Sequence, residues 1–183
     1  MVGKEMIDIK KLDKSKTFCI YVIGSGLISK LIQKVSKKEA EKLSNLILDK
    51  IATHVAMMYF IDDWYVFESH AKYKGTRKIF FTDWVKDEKQ EQIFCFEHNF
   101  NVQIMEHYIK FNPGYSIADI SRFAFDNFKN AKPQDIFNNN PGVVCSEYAA
   151  LCTISNSKNI CDVFGLPTFQ IKPLHFQILG LIK

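Results

Sequence analysis

The sequence predicts an α+β fold, an antiparallel sheet or partial barrel packed against helices, in a single domain covering residues 1–183. Three observations predict it. Short runs at 17–23, 51–60, 64–70, 75–81 and 91–97 are dense in aromatic and β-branched residues, the composition of strands. Two of these runs, 51–60 and 64–70, stand close enough to form a hairpin, and hairpin strands are antiparallel. The segments at 37–50, 102–110, 116–129 and 145–154 carry apolar or charged residues at helical spacing. With 183 residues and a 47% hydrophobic fraction, the chain has material for one sizeable core, since a domain of this size buries roughly 70% of its unfolded surface.

The first strand, TFCIYVI, runs into Gly24-Ser25-Gly26 and then into a helix. A strand, a glycine turn and a helix suggest a dinucleotide site, where phosphate meets backbone amides at a helix start. The fingerprint is incomplete, because Ser29 occupies the third glycine position and no acid closes a following strand. A tight turn is the simpler reading. That alternative predicts a parallel sheet, which distinguishes it.

Next comes the hairpin around Asp62-Asp63, whose register decides whether its two polar intrusions, His54 and Glu68, meet. A two-residue turn puts Glu68 on the face opposite His54. A three-residue loop, 61–63, pairs Phe60 with Trp64 and Ala56 with Glu68, so that His54 and Glu68 become diagonal neighbours about 5–8 Å apart. In that register His70 lies opposite His54 and rivals Glu68 as its partner.

Between the strands at 75–81 and 91–97, DWVKDEKQ reads as a charged surface loop bordering a groove. The helix at 102–110 is stopped by Asn112-Pro113-Gly114. Residues 116–129 form an amphipathic helix with Ser116 and Asp119 as a cap, expected to pack beside the helix at 145. Pro167 and Pro173 delay a regular strand, so residues 176–182 read as a short closing strand.

The stretch NNNPGVVCSEYAALC, residues 138–152, is a polar loop, a Pro141-Gly142 turn and a helix beginning at Cys145. Helix N-terminal amides favour anions, and a thiol placed there is favoured as thiolate, the nucleophilic form. A buried structural thiol is the competing reading, because cysteine is among the most buried residue types. Cys152 reads as core, and Glu147 suits the helix N-terminus while opposing a thiolate. His98, His107 and His175 read as structural or surface residues.

Composition excludes several functions. The formal charge of +4 resides in residues 1–50, with 11 Lys against 6 Asp/Glu, while the remainder sums to −1. Lysines at 34, 37, 38 and 42 alternate with acids in a helical pattern, which reads as a solvated helix face and no nucleic-acid partner. No apolar run approaches the ~20 residues of a membrane span, and MVGKEMIDIKK lacks the apolar core of an export signal. Stable membrane insertion is therefore not expected, and the expected location is cytoplasmic. Five cysteines without a CxxC pair predict reduced thiols, no metal and no cofactor.

Taken together, THVAMMY, FESH and CSEYAAL resemble the NlpC-type superfamily of papain-like cysteine hydrolases, and specifically its circularly permuted, YiiX-like branch. In that branch a histidine strand and a polar-residue strand precede the cysteine helix, the order found here. GSGLISKLIQKVS, the PGYSIADI segment and LPTFQIKP resemble further parts of the family, so the likeness runs from about residue 22 to 173. Ser116 departs from it, standing where an acid often follows the tyrosine. The resemblance implies a permuted papain-like fold with Cys145 as nucleophile, His54 as general base and Glu68 as the residue orienting the imidazole. It also implies the Cys145 backbone N–H as part of an oxyanion hole. The implied substrates are peptides, amide conjugates or lipid-type acyl groups, cleaved through a thioester acyl-enzyme. The alternatives are an acyltransferase of the lecithin:retinol type and a non-catalytic binding or virion-associated protein on the same scaffold.

Overall fold

The computed structural model describes residues 7–44, 48, 50–87, 90–115, 142–153 and 159–182. Five strands, β1 (Thr17–Gly24), β2 (His54–Phe60), β3 (Trp64–His70), β4 (Gly75–Phe80) and β5 (Gln90–Glu97), form one open sheet in the spatial order β4-β3-β2-β1-β5. Every neighbouring pair is antiparallel. That corrects the dinucleotide alternative, because β1 has antiparallel neighbours on both sides. Gly24 instead serves close packing: a Cβ there would lie 2.6 Å from Ser29 Oγ, and its N–H donates to Thr53 Oγ1 at 3.0 Å.

Strand β1 is buried over nearly its whole length because both faces of the sheet are covered. Alternation assigns the faces. Cys19, Val55, Met57 and Phe67 point to a layer made by α3 (Val102–Phe111), α4 (Cys145–Leu151), α5 (Ile160–Phe164) and α6 (Pro173–Leu181), meeting Met105, Tyr148, Ala149 and Phe176. Phe18, Ile20, Ala56, Met58 and Val66 point the other way, onto Phe81 and Trp84 of α2 (Phe81–Asp87) and onto the segment carrying Ile7, Ile9 and Leu12. Helix α1 (Leu27–Ser44) contributes Ala40 to a smaller cluster with Ile51, Leu174 and Ile178.

The hairpin takes the three-residue loop. Its ladder is Phe60↔Trp64, Tyr59↔Tyr65, Met58↔Val66 and Met57↔Phe67, and Ile61 N–H donates to Asp63 O at 3.0 Å.

Two expected elements differ. The charged segment predicted as a loop begins inside α2, because Phe81, Trp84 and Val85 recur at helical spacing and bury one stripe against the sheet. The closing strand expected at 176–182 is part of α6. Pro173 occupies its first turn, where a fixed φ and a missing N–H cost nothing. The Lys172 N–H is taken by His175 Nδ1 at 2.8 Å. A continuous apolar run suits a buried helix as well as a buried strand, and here Leu174, Phe176, Ile178 and Leu179 are all buried. The helix opening at Cys145 ends at Leu151, short of the expected 154, with Cys152 as its C-cap. The helix predicted for 116–129 and the loop residues 138–141 lie outside the described residues.

Candidate active site

Strands β2 and β3 separate at one end. The β2–β3 ladder stops at Met57↔Phe67, whereas β2 stays paired with β1 as far as Val22↔His54 and β3 with β4 as far as His70↔Gly75. The N-terminus of α4 comes against this opening. Its approach is fixed by Ser69, whose hydroxyl donates to Val143 O at 2.6 Å, and by Val143 N–H donating to Gly114 O at 3.1 Å. Ser69 and Glu68 alternate across β3, so the strand holds the incoming segment with one face and presents the carboxylate on the other.

In the opening, three segments converge. His54 Nε2 donates to Glu68 Oε2 at 2.6 Å, and Cys145 at the start of α4 is near enough for its charge to act on the same ring. With Nε2 held by Glu68, the ring nitrogen left for sulfur is Nδ1. Cys145 is the first residue of α4, so its N–H has no acceptor within the helix. Burial opposes protonation of His54, but its electrostatic interaction with Cys145 and the hydrogen bond and charge of Glu68 together raise the imidazole well above its ordinary value.

Glu68 is fully buried, and a carboxylate there requires donors. It has several. Arg77 Nε donates to Oε1 at 2.6 Å and Arg77 Nη2 approaches the same oxygen at 2.5 Å, while Trp84 Nε1 donates to Oε2 at 2.9 Å. Burial pushes the carboxyl up, but His54, Trp84 and Arg77 outweigh it and hold Glu68 at about 2. Arg77 lies directly opposite Glu68 in the β3–β4 register, and its guanidinium stacks on Tyr73 at 3.5 Å.

Arg77 and Trp84 escape a reading of the sequence. A cation on an edge strand looks solvated, and a tryptophan amid DWVKDEKQ looks like a loop residue. The signal that finds Trp84 is its spacing from Phe81 and Val85. Once α2 is recognised, an indole facing β3 follows.

His70 packs edge-on against the His54 ring, with centroids 5.3 Å apart and planes at 68°. Its Nδ1 accepts the Lys72 N–H at 3.0 Å. Burial, then the charge of His54, push its imidazole down to about 4, with Arg77 and Lys72 adding to this and Glu68 opposing it. The hydrogen bond to His54 Nε2 therefore belongs to Glu68, and His70 is a neutral neighbour.

The remaining polar candidates sit elsewhere. Cys152 is buried in the helical core, where desolvation raises its thiol. His98 packs among Phe96, Phe100 and Phe176, His107 stacks on Phe111, and buried His175 caps α6 with Nε2 3.5 Å from Glu39 Oε1. Glu147 is buried in the first turn of α4.

Among the described residues no group of His, Cys, Asp or Glu is arranged to hold a metal ion. No helix among them is long and apolar enough to cross a membrane. No protein-family model matches the chain, and no curated protein matches its sequence.

Proposed function

We propose that the chain is a cysteine hydrolase of permuted papain-like architecture that cleaves amide or ester bonds through a thioester acyl-enzyme. One observation carries the reading: the His54 imidazole of β2 is hydrogen-bonded to the buried Glu68 carboxylate of β3 and lies within electrostatic reach of the Cys145 thiol at the start of α4. Nucleophile, base and orienting group in series is the arrangement nucleophilic catalysis needs. The order along the chain, His54 then Glu68 then Cys145, is that of the permuted branch the sequence resembles.

In this reading His54 takes the thiol proton, and the imidazolium formed is stabilised by Glu68. The sulfur attacks the acyl carbon, the carbonyl electron pair moves onto oxygen, and the Cys145 N–H donates to that oxyanion. Collapse of the tetrahedral adduct expels the amine or alcohol, which leaves with the proton from His54. Water, deprotonated by His54, then attacks the thioester and releases the acid and the thiolate. Glu68 keeps a proton on Nε2 throughout, so Nδ1 is always the nitrogen that works. The substrates are peptides, amide conjugates or lipid-type acyl groups, and the five cysteines, all thiols, suit a reducing, cytoplasm-like compartment.

The test is labelling with a thiol-reactive acyl probe. Cys145→Ala abolishes it and His54→Ala slows it by roughly 10²-fold or more, the range of general-base catalysis. Full labelling of Cys145→Ala ends the proposal.

A further inference from the structure

Where β2 and β3 separate, His54, Glu68, Arg77, Tyr73 and His70 close into a circuit of side chains. His54 Nε2 donates to Glu68 Oε2 at 2.6 Å, and Arg77 grips Glu68 Oε1 through Nε at 2.6 Å and Nη2 at 2.5 Å. The Arg77 guanidinium lies on the face of Tyr73, 3.5 Å from the ring centroid. Tyr73 packs on His70 with centroids 5.5 Å apart, and His70 packs on His54 at 5.3 Å. His54, Glu68, His70 and Arg77 come from strands, and Tyr73 comes from the turn between β3 and β4.

That turn is built to return its ring over the sheet. Ala71–Tyr73 form a short 3-10 helix, capped at its start by His70 Nδ1, which accepts the Lys72 N–H at 3.0 Å, and closed by Lys74 in the left-handed region at φ 57°. Beyond it Thr76 N–H donates to Asn112 Oδ1 at 3.1 Å and Thr76 Oγ1 donates to Tyr108 O at 2.7 Å. His70 pairs with Gly75 and Glu68 with Arg77 across the two strands, so both ends of the turn are fixed.

The two oxygens of Glu68 have separate duties. Oε1 belongs to Arg77, while Oε2 accepts from His54 and from Trp84 Nε1 at 2.9 Å. With Oε1 pinned by two N–H groups, turning Oε2 away from His54 would cost the Arg77 contacts. Arginine itself is long and rich in rotamers, and Glu68 holds only the edge of its guanidinium. A tyrosine supports the face, since a cation is attracted to an aromatic face, most strongly where water is partly excluded. The Arg77 side chain is 14% exposed. Lys72 Nζ lies over the same ring, farther out at 4.9 Å. Burial raises the Glu68 carboxyl, and the groups facing it, His54 from β2, Trp84 from α2 and Arg77 from β4, hold it at about 2.

We propose that Tyr73 is a positioning residue of the site: its ring face holds the Arg77 guanidinium on Glu68 Oε1 and so keeps Oε2 on His54 Nε2. It acts through Arg77, and its bearing on turnover rests on the hydrolase reading.

The test is made by NMR on the full chain without substrate, reading the solvent exchange of the His54 Nε2 proton and the titration of the Glu68 carboxyl carbon. Tyr73→Leu is expected to speed the exchange roughly tenfold and to lift the Glu68 titration above its wild-type value, the scale of a partly buried cation–π contact. Tyr73→Phe keeps the ring face and leaves both signals at their wild-type values. Arg77→Lys offers a point charge in place of the flat fork; it reproduces the Tyr73→Leu change, and Tyr73→Leu added to it changes nothing further. Unchanged signals in Tyr73→Leu or in Arg77→Lys, an equal loss in Tyr73→Phe, or a Tyr73→Leu effect that persists undiminished in Arg77→Lys overturns the proposal. An inert Cys145 in a wild-type protein that gives the expected signals overturns the hydrolase reading and leaves the positioning role standing.

Discussion

Glu68 is the residue on which the candidate site can be tested most sharply, because its charge is buried and its partners are known. Glu68→Gln keeps the shape and removes the charge. In the fold the carboxyl is held at about 2 against an ordinary 4.5, a difference that corresponds to about 3 kcal/mol at neutral pH. A second route gives a similar figure: breaking a buried ion pair by removing one partner costs about 3–5 kcal/mol, and Arg77, itself partly buried, is left beside an amide. His54 can shed its proton to relieve part of the loss. We therefore expect about 3 kcal/mol, which at a typical urea dependence of ~2 kcal/mol/M moves the unfolding midpoint down by about 1.5 M.

The pH profile separates this cause from a packing defect. Glu68 is depressed, so its contribution is present above 4.5 and is lost as pH falls towards 2. His54 is raised, so its contribution is full below 6.5 and is lost as pH rises through the value it has in the fold. Urea unfolding of wild type and Glu68→Gln at a series of pH values should show a gap of about 3 kcal/mol at pH 7 that closes as pH approaches 2. A gap under about 0.5 kcal/mol at pH 7 refutes the reasoning, because surface changes alone produce that much. So does a deficit that stays constant from neutral to acid pH.

Two further outcomes follow from the same geometry. Trp84→Phe keeps the apolar contact of α2 and deletes one donor to Glu68 Oε2; the expected cost is about 1.5–3 kcal/mol by urea unfolding at pH 7, the worth of a hydrogen bond to a charged group, and it should fall away in acid as Glu68 protonates. Gly75→Ala puts a Cβ into Asn112 Oδ1 at a φ of +154°, so a loss of roughly 2–4 kcal/mol in thermal or urea melts is expected from strain and collision together.

Much of the fold can be read from the sequence where a short period repeats. The residues of β1, β2 and β3 alternate between two buried faces, and of the two hairpin loops that counting allows, the three-residue loop is the one that brings His54 to Glu68. Cys145 opens its helix as the Val-Val-Cys step suggests. What escapes is decided by tertiary packing. Helix α2 has only seven residues, too few for its period to stand out from its charges. Helix α6 is apolar on nearly every side, so its run fits either secondary structure. The separation of β2 from β3 depends on the α4 segment entering at Ser69, a long-range event with no local signature. Arg77 gains its meaning from lying opposite Glu68 across a register that the sequence leaves open.

The separation of the strands explains why the third member of the site is a carboxylate with its own retinue. Glu68 belongs to the face packed on α2, whereas Cys145 belongs to the helical layer on the other side of the sheet. Among the described residues the gap beside His54 lies between the two, and the imidazole stands at the junction of the two clusters. A carboxylate on the α2 face is fully buried, so it depends on His54, Trp84 and Arg77 to stay ionised. Arg77 and Trp84 add donors to Glu68 from the side of the sheet away from Cys145. Substitutions in the α2 cluster should then act on the site through the basicity of His54, and substitutions in the helical layer through the placement of sulfur. These are separable effects, the first visible in a pH profile and the second in a rate at fixed pH.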